Sequence, residues 1–545
     1  MVKVMGPLLP RGARSSHGGT RSMPTPEQIW QDADLPTRRL AGLALNPSAP
    51  HNVLLRLLAD APLAVRMVLC RDRVLPEAVV DAVVEHPDNR TRSFFARNPH
   101  VDPAQRVRLV DDPDWFVRAH LAEAPRVTAP AEPRPLPDAA VVHMMNTYDP
   151  EHLGGTFYRQ FSVELRRSMA THPDAKVRAW GVGMWWGWLP AETRAALLAD
   201  PDDEVRERAE NHLRHEDPAW VESVLPAHSC HARTGILLHN ALSRAVVDSV
   251  LTTPAGPQDR SMIASNPSLP PDVVVLLAAD PAPEVRAEIA RRTDLGPTER
   301  RALVADPDPD VRRAVARQPG LDHVERHALA ADPDPKVRLA VSVHPAWTEE
   351  ERARISYEVP LDHFFVFHPA PLTPRDPEVV RRNALSGHPM LRREAAREHS
   401  LPPDLVARLA VDDDLGVRVL LAQNHPDAPA PLLLRSFLEY TGPDRAHLLT
   451  RPNFPTDGLA TYADDEDPEV RALAARDPGT APDTVDRLTR DPDPAVRAAS
   501  ARHPNLPPAR LTELLDDEEL AHCAAANPAL DRDTILRLVA ALPVM

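Results

Sequence analysis

Asp306-Pro307-Asp308-Pro309-Asp310-Val311-Arg312 decides how this chain folds. It returns in altered copies as Asp280-Pro281-Ala282-Pro283-Glu284-Val285-Arg286 and as Asp332-Pro333-Asp334-Pro335-Lys336-Val337-Arg338, each displaced by 26 residues. Arg471 and Arg497 are again 26 apart. The same register reaches Arg38, Arg66, Arg92, Arg118, Arg178, Arg206, Arg233, Arg260, Arg392, Arg418 and Arg445, at spacings of 26 to 28 with two larger jumps. A unit this short cannot close a hydrophobic core by itself, so neighbours must stack, and a solenoid is the expected architecture.

Residues 295–320 show the parts of one unit. Pro297 suits a first helical turn, where its missing N–H costs nothing, and Arg301-Ala302-Leu303-Val304-Ala305 supplies helix formers with an apolar side. This is helix A. Pro307 disfavours helical geometry at Asp306 and ends it. Asp308 then offers a carboxylate to free backbone N–H groups, with Pro309 preset at the first position of helix B. Val311, Ala314, Val315 and Ala316 give helix B small packing atoms, and Gln318-Pro319-Gly320 turns the chain toward Leu321.

The punctuation recurs. Asp88, Asp114, Asp174, Asp202, Asp334, Asp414, Asp467 and Asp493 occupy the capping position, and Asn46-Pro47, Asn98-Pro99, Asn266-Pro267 and Asn527-Pro528 close helix B with a turn residue followed by one that cannot continue a helix. The 62 prolines among 545 residues would suggest a disordered chain if they lacked a period. Most instead mark helix starts and stops, so the chain is expected to fold. With packed helices about 10 Å apart, about twenty repeats predict a long curved ribbon on the order of 200 Å.

Leu269-Pro270-Pro271-Asp272 leading into the Asp280–Arg286 copy, and Leu506-Pro507-Pro508 after His503-Pro504-Asn505, resemble the leucine-rich-repeat variant family over about residues 35–540. The resemblance implies an all-α, right-handed solenoid of two-helix repeats, the second helix often 3₁₀, without β-sheet. HEAT repeats are the nearest structural alternative. Some members of the variant family carry a cysteine-bound iron–sulphur cluster, which needs several closely spaced thiolates. Cys70, Cys230 and Cys523 are far apart, so that feature does not transfer and no cofactor is expected.

Three isolated cysteines argue against a disulfide-stapled secreted protein. Residues 1–25 read as a disordered tail without the apolar core of a signal peptide, with Met23 an alternative start. No stretch approaches the roughly 20 apolar residues of a membrane span, so a membrane partner is not expected and the reading is cytoplasmic. The remaining organisation is read as repeats over 26–124, an irregular insertion and degenerate repeat over 125–176, and a continuous array over 177–545 with a degenerate repeat near 347–390.

The formal net charge, 63 minus 79 or −16, does not favour nucleic acid as partner. The arginine row could still form a basic stripe. The alternative is a ladder in which each arginine pairs with a capping aspartate of the next repeat, relieving the conflict of a cation near a helix N-terminus. Only an unpaired row would release counterions from a nucleic acid.

Because packing already accounts for the regular positions, function is expected where the repeat breaks. The first break lies between Arg118 and Arg178 and contains Pro125 to Pro137, then Phe157 and Tyr158. The second holds four of eight tryptophans, Trp180, Trp185, Trp186 and Trp188. On a helix these would point about 0°, 140°, 240° and 80° round the axis and could not share one face. They either fill space left by the irregular repeat or form an interface hot spot. The third break, His363 to His368, carries Phe364, Phe365 and Phe367 and reads as repacked core or as a pocket for a partner helix or peptide.

His212, His215, His228, Cys230, His231 and His239 lack recognised zinc-ligand spacing. No phosphate loop or nucleophile elbow occurs. The sequence therefore reads as a non-catalytic scaffold without metal, binding a protein or peptide on a concave solenoid surface through Trp180, Trp185, Trp186, Trp188, Phe157, Tyr158, Phe364, Phe365 and Phe367. The alternative is a nucleic-acid-binding solenoid resembling the HEAT-like DNA-repair proteins.

Overall fold

The computed structural model describes residues 33–125, 134–252, 257–360, 375–442 and 444–542. The tail over residues 1–25, part of the Pro125–Pro137 stretch, and Phe364, Phe365 and Phe367 lie outside them. Among the described residues every regular element is a helix, and the fold is an all-α solenoid of helix pairs. In the unit read above, helix A spans Pro297–Val304 and helix B spans Pro309–Val315. Both are α-helical. The second helix of this unit is thus not the 3₁₀ helix common in the variant family; 3₁₀ turns appear at irregular places such as Phe157–Gln160 and Trp186–Trp188.

The capping aspartates act as the sequence requires. Asp308 accepts the N–H of Asp310 at 2.8 Å, Asp334 that of Lys336 at 2.7 Å, and Asp493 those of Ala495 and Val496 at 2.8 and 3.2 Å. Helices of seven or eight residues are marginal alone. Their stability comes from stacking: Pro283–Ala290 packs on Pro309–Val315, which packs on Pro335–Ser342, while Pro297–Val304 packs on His323–Ala330. The motif valines Val285, Val311 and Val337 are wholly covered, each worth roughly 1.5–3 kcal/mol of transfer free energy.

Two sets of polar side chains join one repeat to the next. Asn266, wholly buried, donates its amide to the carbonyls of Leu237 at 2.9 Å and Asn240 at 2.8 Å, and its oxygen accepts the Ser268 N–H at 2.8 Å. Asn98 does the same to Cys70 and Arg73, and Asn527 to Ala501 and His503. Gln318 substitutes in its repeat. His503 also substitutes: Nδ1 accepts the Asn505 N–H at 3.0 Å, leaving the proton on Nε2 to donate to the Asp477 carbonyl at 2.7 Å. The residue ending helix B therefore caps the carbonyl end of the preceding repeat as well as making a turn.

The second set is the arginine ladder. Arg312 donates Nη1 to the carbonyls of Asp306 and Pro307, at 2.7 and 3.0 Å, and forks Nε and Nη2 onto Asp332 at 2.7 and 3.0 Å. Arg92–Asp112, Arg260–Asp280, Arg286–Asp306, Arg392–Asp412 and Arg471–Asp491 repeat the pairing. The expected ladder is present with two kinds of partner. Arg66 pairs with the capping Asp88 at 3.1 Å, whereas in the six forked pairs the carboxylate belongs to the aspartate two residues before the capping position. Asp332 thereby also accepts the Asp334 N–H at 2.9 Å and rigidifies the interhelix turn. The Arg471 fork holds the Asp491 carboxyl below the usual carboxylate range.

The chain forms two compact units, Met1–Trp185 with Phe454–Met545, and Trp186–Asn453. In the first unit the open ribbon expected from sequence does not occur. The helix Leu35–Leu45 packs on Ala521–Ala525, and Asn46 donates to the carbonyls of Ala525 and Asn527 at 2.9 and 2.7 Å. The last described repeat therefore covers the outer face of the first.

Two substitutions test these joints. Arg312→Ala leaves Asp332, whose side chain is 5% exposed, without its fork, and is expected to cost about 3–5 kcal/mol, read as lost hydrogen-exchange protection centred on residues 297–342. Asn266→Leu is expected to cost about 2–4 kcal/mol by leaving two carbonyls unpaired. Asn266→His should retain much of that stability, because His503 already fills the same role.

Candidate functional site

The first break is built into the core of its unit. Tyr148 donates its hydroxyl to the Val110 carbonyl at 2.6 Å, and buried Gln160 donates to the Leu121 carbonyl at 3.0 Å, as the asparagines do elsewhere. Phe157 and Phe161 meet edge to face at 5.0 Å, and Trp180 sets a ring against each, at 5.6 and 6.0 Å. Phe157 is wholly covered, Trp180 is half-buried and Tyr158 is exposed. Gly154 has φ +62°, in the left-handed region that glycine tolerates.

The tryptophan run divides by local geometry. The helix Ala175–Trp185 passes through Gly181, where a β-carbon would stand 3.0 Å from the backbone of Met169 and Ala170. Glycine there reflects close helix packing. Trp185 is half-buried at the end of this helix.

In the second unit, Trp186–Trp188 forms a 3₁₀ turn. Trp186 is buried and donates Nε1 to Glu216 at 2.9 Å. One neighbour is His212, stacked at 5.9 Å; another is the Arg194 guanidinium, 5.8 Å from the ring centroid. Arg194 also donates to Glu216 at 3.1 Å and to the Leu189 carbonyl at 3.1 Å. Burial, with the nearby His215 and Arg208 charges, pushes the His212 pKa down and favours the neutral ring. Two residues along, Trp188 is 79% exposed. A locked indole thus supports a turn that displays another.

Trp115 is a further exposed aromatic, lying in a regular repeat outside the three breaks. It is 55% exposed and stacks on His152 at 5.1 Å. Its signal was present in the sequence, since Trp115 follows the capping Asp114 where Pro309, Pro335 and Pro494 stand in other repeats. Nearby, Arg118 donates to the carbonyls of Asp112 and Pro113 and lies 5.8 Å from the Tyr148 ring centroid.

Ser342 and His388 form a buried contact at 2.8 Å that superficially suggests a nucleophile and base. The proton arrangement does not suit that chemistry. His388 Nδ1 accepts the Met390 N–H at 3.1 Å, so the ring proton sits on Nε2 and points at the Ser342 oxygen. Ser342 spends its own proton on the Leu339 carbonyl at 2.8 Å. Tyr357 stacks on the imidazole at 4.2 Å and further covers the pair. His215 is engaged by Trp220 and Asn240, and no group of three or more metal-ligating side chains converges among the described residues.

In the six ladder pairs the arginine side chains are 10–18% exposed and each forks onto a carboxylate. These guanidinium groups make no displayed row. No helix among the described residues is long and apolar enough to cross a membrane.

No protein-family model matches the chain, and no curated protein matches it. Among solved structures it is similar to an engineered protein at 14% identity, covering 96% of this chain and 100% of that one, with a TM-score of 0.10. It is also similar to a mutant of Kap121p at 10% identity, covering 94% of this chain and 52% of that one, with a TM-score of 0.14. The architecture rests on the helix pairs themselves.

His388 makes stability dependent on pH. Burial, reinforced by Arg352, lowers its pKa from 6.5 to about 4. The unfolded chain takes up the proton first as pH falls, so this contribution is complete above pH 6.5 and lost progressively between 6.5 and 4. The loss is on the order of 3 kcal/mol. Hydrogen-exchange protection factors over Pro389–Ala395, taken relative to the intrinsic rate at each pH, should fall as pH is lowered across that window, and His388→Asn should flatten the response while keeping a capping acceptor for Met390.

Proposed function

We propose that this protein is a non-catalytic repeat scaffold whose partner is a protein or peptide, and that Trp188 is its principal anchor. The observation that carries this reading is the Trp186–Trp188 turn. Trp186 is fixed by Glu216, His212 and Arg194 while Trp188 stands 79% exposed. A large aromatic held ready on a rigid support gives much contact area for little ordering entropy, which is why tryptophan is enriched at interface hot spots. Of the anchors read from sequence, Trp186 supports the Trp188 turn from beneath; in the other unit Phe157 is covered and Tyr158 is exposed.

The formal charge of −16 favours a partner with a basic rim, which would approach faster at low salt. The pairing of the ladder arginines with aspartates counts against the nucleic-acid reading, because paired guanidinium groups release few counterions. The leucine-rich-repeat variant resemblance supplies the finer family assignment within this reading.

The test compares natural protein with Trp188→Ala in capture from nuclease-treated native extract. Trp188→Ala should keep the natural thermal midpoint and lose the captured protein, with affinity falling by about 2 kcal/mol or more. Trp186→Ala should instead lower stability. Capture that disappears on nuclease treatment, or is indifferent to Trp188, would sink the reading.

A further inference from the structure

The joint between the first and last described repeats uses the same chemistry as joints between sequence neighbours. Asn46 fills the position of Asn98 and Asn527, and Ser48 adds a hydrogen bond to the Pro528 carbonyl at 2.8 Å. Arg39 donates Nε to the Leu515 carbonyl at 2.6 Å and pairs with Asp516, and Arg38 reaches the Glu518 carbonyl. Beneath these contacts Leu43 and Ala44, together with Cys523, Ala524 and Ala525, are wholly covered.

One residue is fitted to this joint. A β-carbon at Gly42 would lie 2.0 Å from the His522 carbonyl oxygen and 2.9 Å from the Ala525 β-carbon. The obstacle is mainly backbone and cannot swing aside. Four residues ahead of the capping residue, other repeats carry Phe94, Met262, Ala314 and Cys523, whereas this one carries Gly42. The helix Leu35–Leu45 can approach Ala521–Ala525 this closely only without a side chain there.

Sequence-adjacent repeats are held together by short loops. This joint has no loop, so it can open without unfolding either side. Opening would expose two apolar faces that fit each other, and a second copy of the chain carries both. We propose that the Gly42–Asn46 face and the Ala521–Ala525 face form a latch that closes within one chain and, once opened, pairs with the complementary faces of a second copy. The covalent tether keeps the effective concentration of the chain's own face high, so closure within one chain prevails in dilute solution.

The exposed positions Ser48→Cys and Ala529→Cys, in a Cys230→Ser background, can be joined by a short thiol cross-linker. In dilute natural-fold protein the product should have the mass of one chain. After unfolding and refolding at increasing concentration, a two-chain product should appear and grow. Gly42→Leu should abolish both products and raise hydrogen exchange in Leu35–Leu45 and Ala521–Ala525, with protection of Pro309–Val315 unchanged. If Gly42→Leu does not fold, the cross-link in the otherwise natural chain still decides whether the latch closes. No single-chain cross-link, or undisturbed exchange in a folded Gly42→Leu protein, overturns the latch. A single-chain product at every refolding concentration overturns pairing between copies.

Discussion

The dependence of one repeat on its neighbour's polar side chain governs this structure. A helix of seven or eight residues leaves most of its backbone ends unpaired, and stacking hides those ends from water. Asn266 meets two carbonyls of the preceding repeat while its own oxygen fastens the following turn. Without such a residue, burying the valine faces would strand polar groups at each joint. Apolar stacking and carbonyl capping therefore have to occur together.

The arginine ladder solves a related electrostatic problem. A cation near the start of helix B is unfavourable with respect to the helix dipole, yet the side chain reaches back to two turn carbonyls and forward to a carboxylate. Arg312 thereby ties Asp306 and Pro307 of its own turn to Asp332 of the next. Much of the positive charge that might have marked a nucleic-acid surface is spent inside the array. Exposed aromatic side chains at irregular places become the more informative surface features.

Repetition also explains the joint between the first and last described repeats. A repeat is made to cap and be capped by a copy of itself, so a distant repeat can serve as well as an adjacent one. The same property makes uncovered repeat faces liable to pair between chains. Closure uses the ordinary asparagine contact, with Gly42 allowing an unusually close helix approach.

The 26-residue interval, the proline positions and the capping aspartates were legible from sequence because each acts through local backbone geometry. They determined the helix pairs, the solenoid and the structural role of the aspartates. Three matters required tertiary structure. Which aspartate receives an arginine depends on where the neighbouring turn lies, since both candidates are two residues apart with the same chemistry. Which tryptophan is displayed depends on the helix ending at Trp185 and on Glu216 claiming the Trp186 N–H. That the last described repeat covers the first is a contact between residues far apart in sequence, which no local motif encodes, although Gly42 marks where it happens.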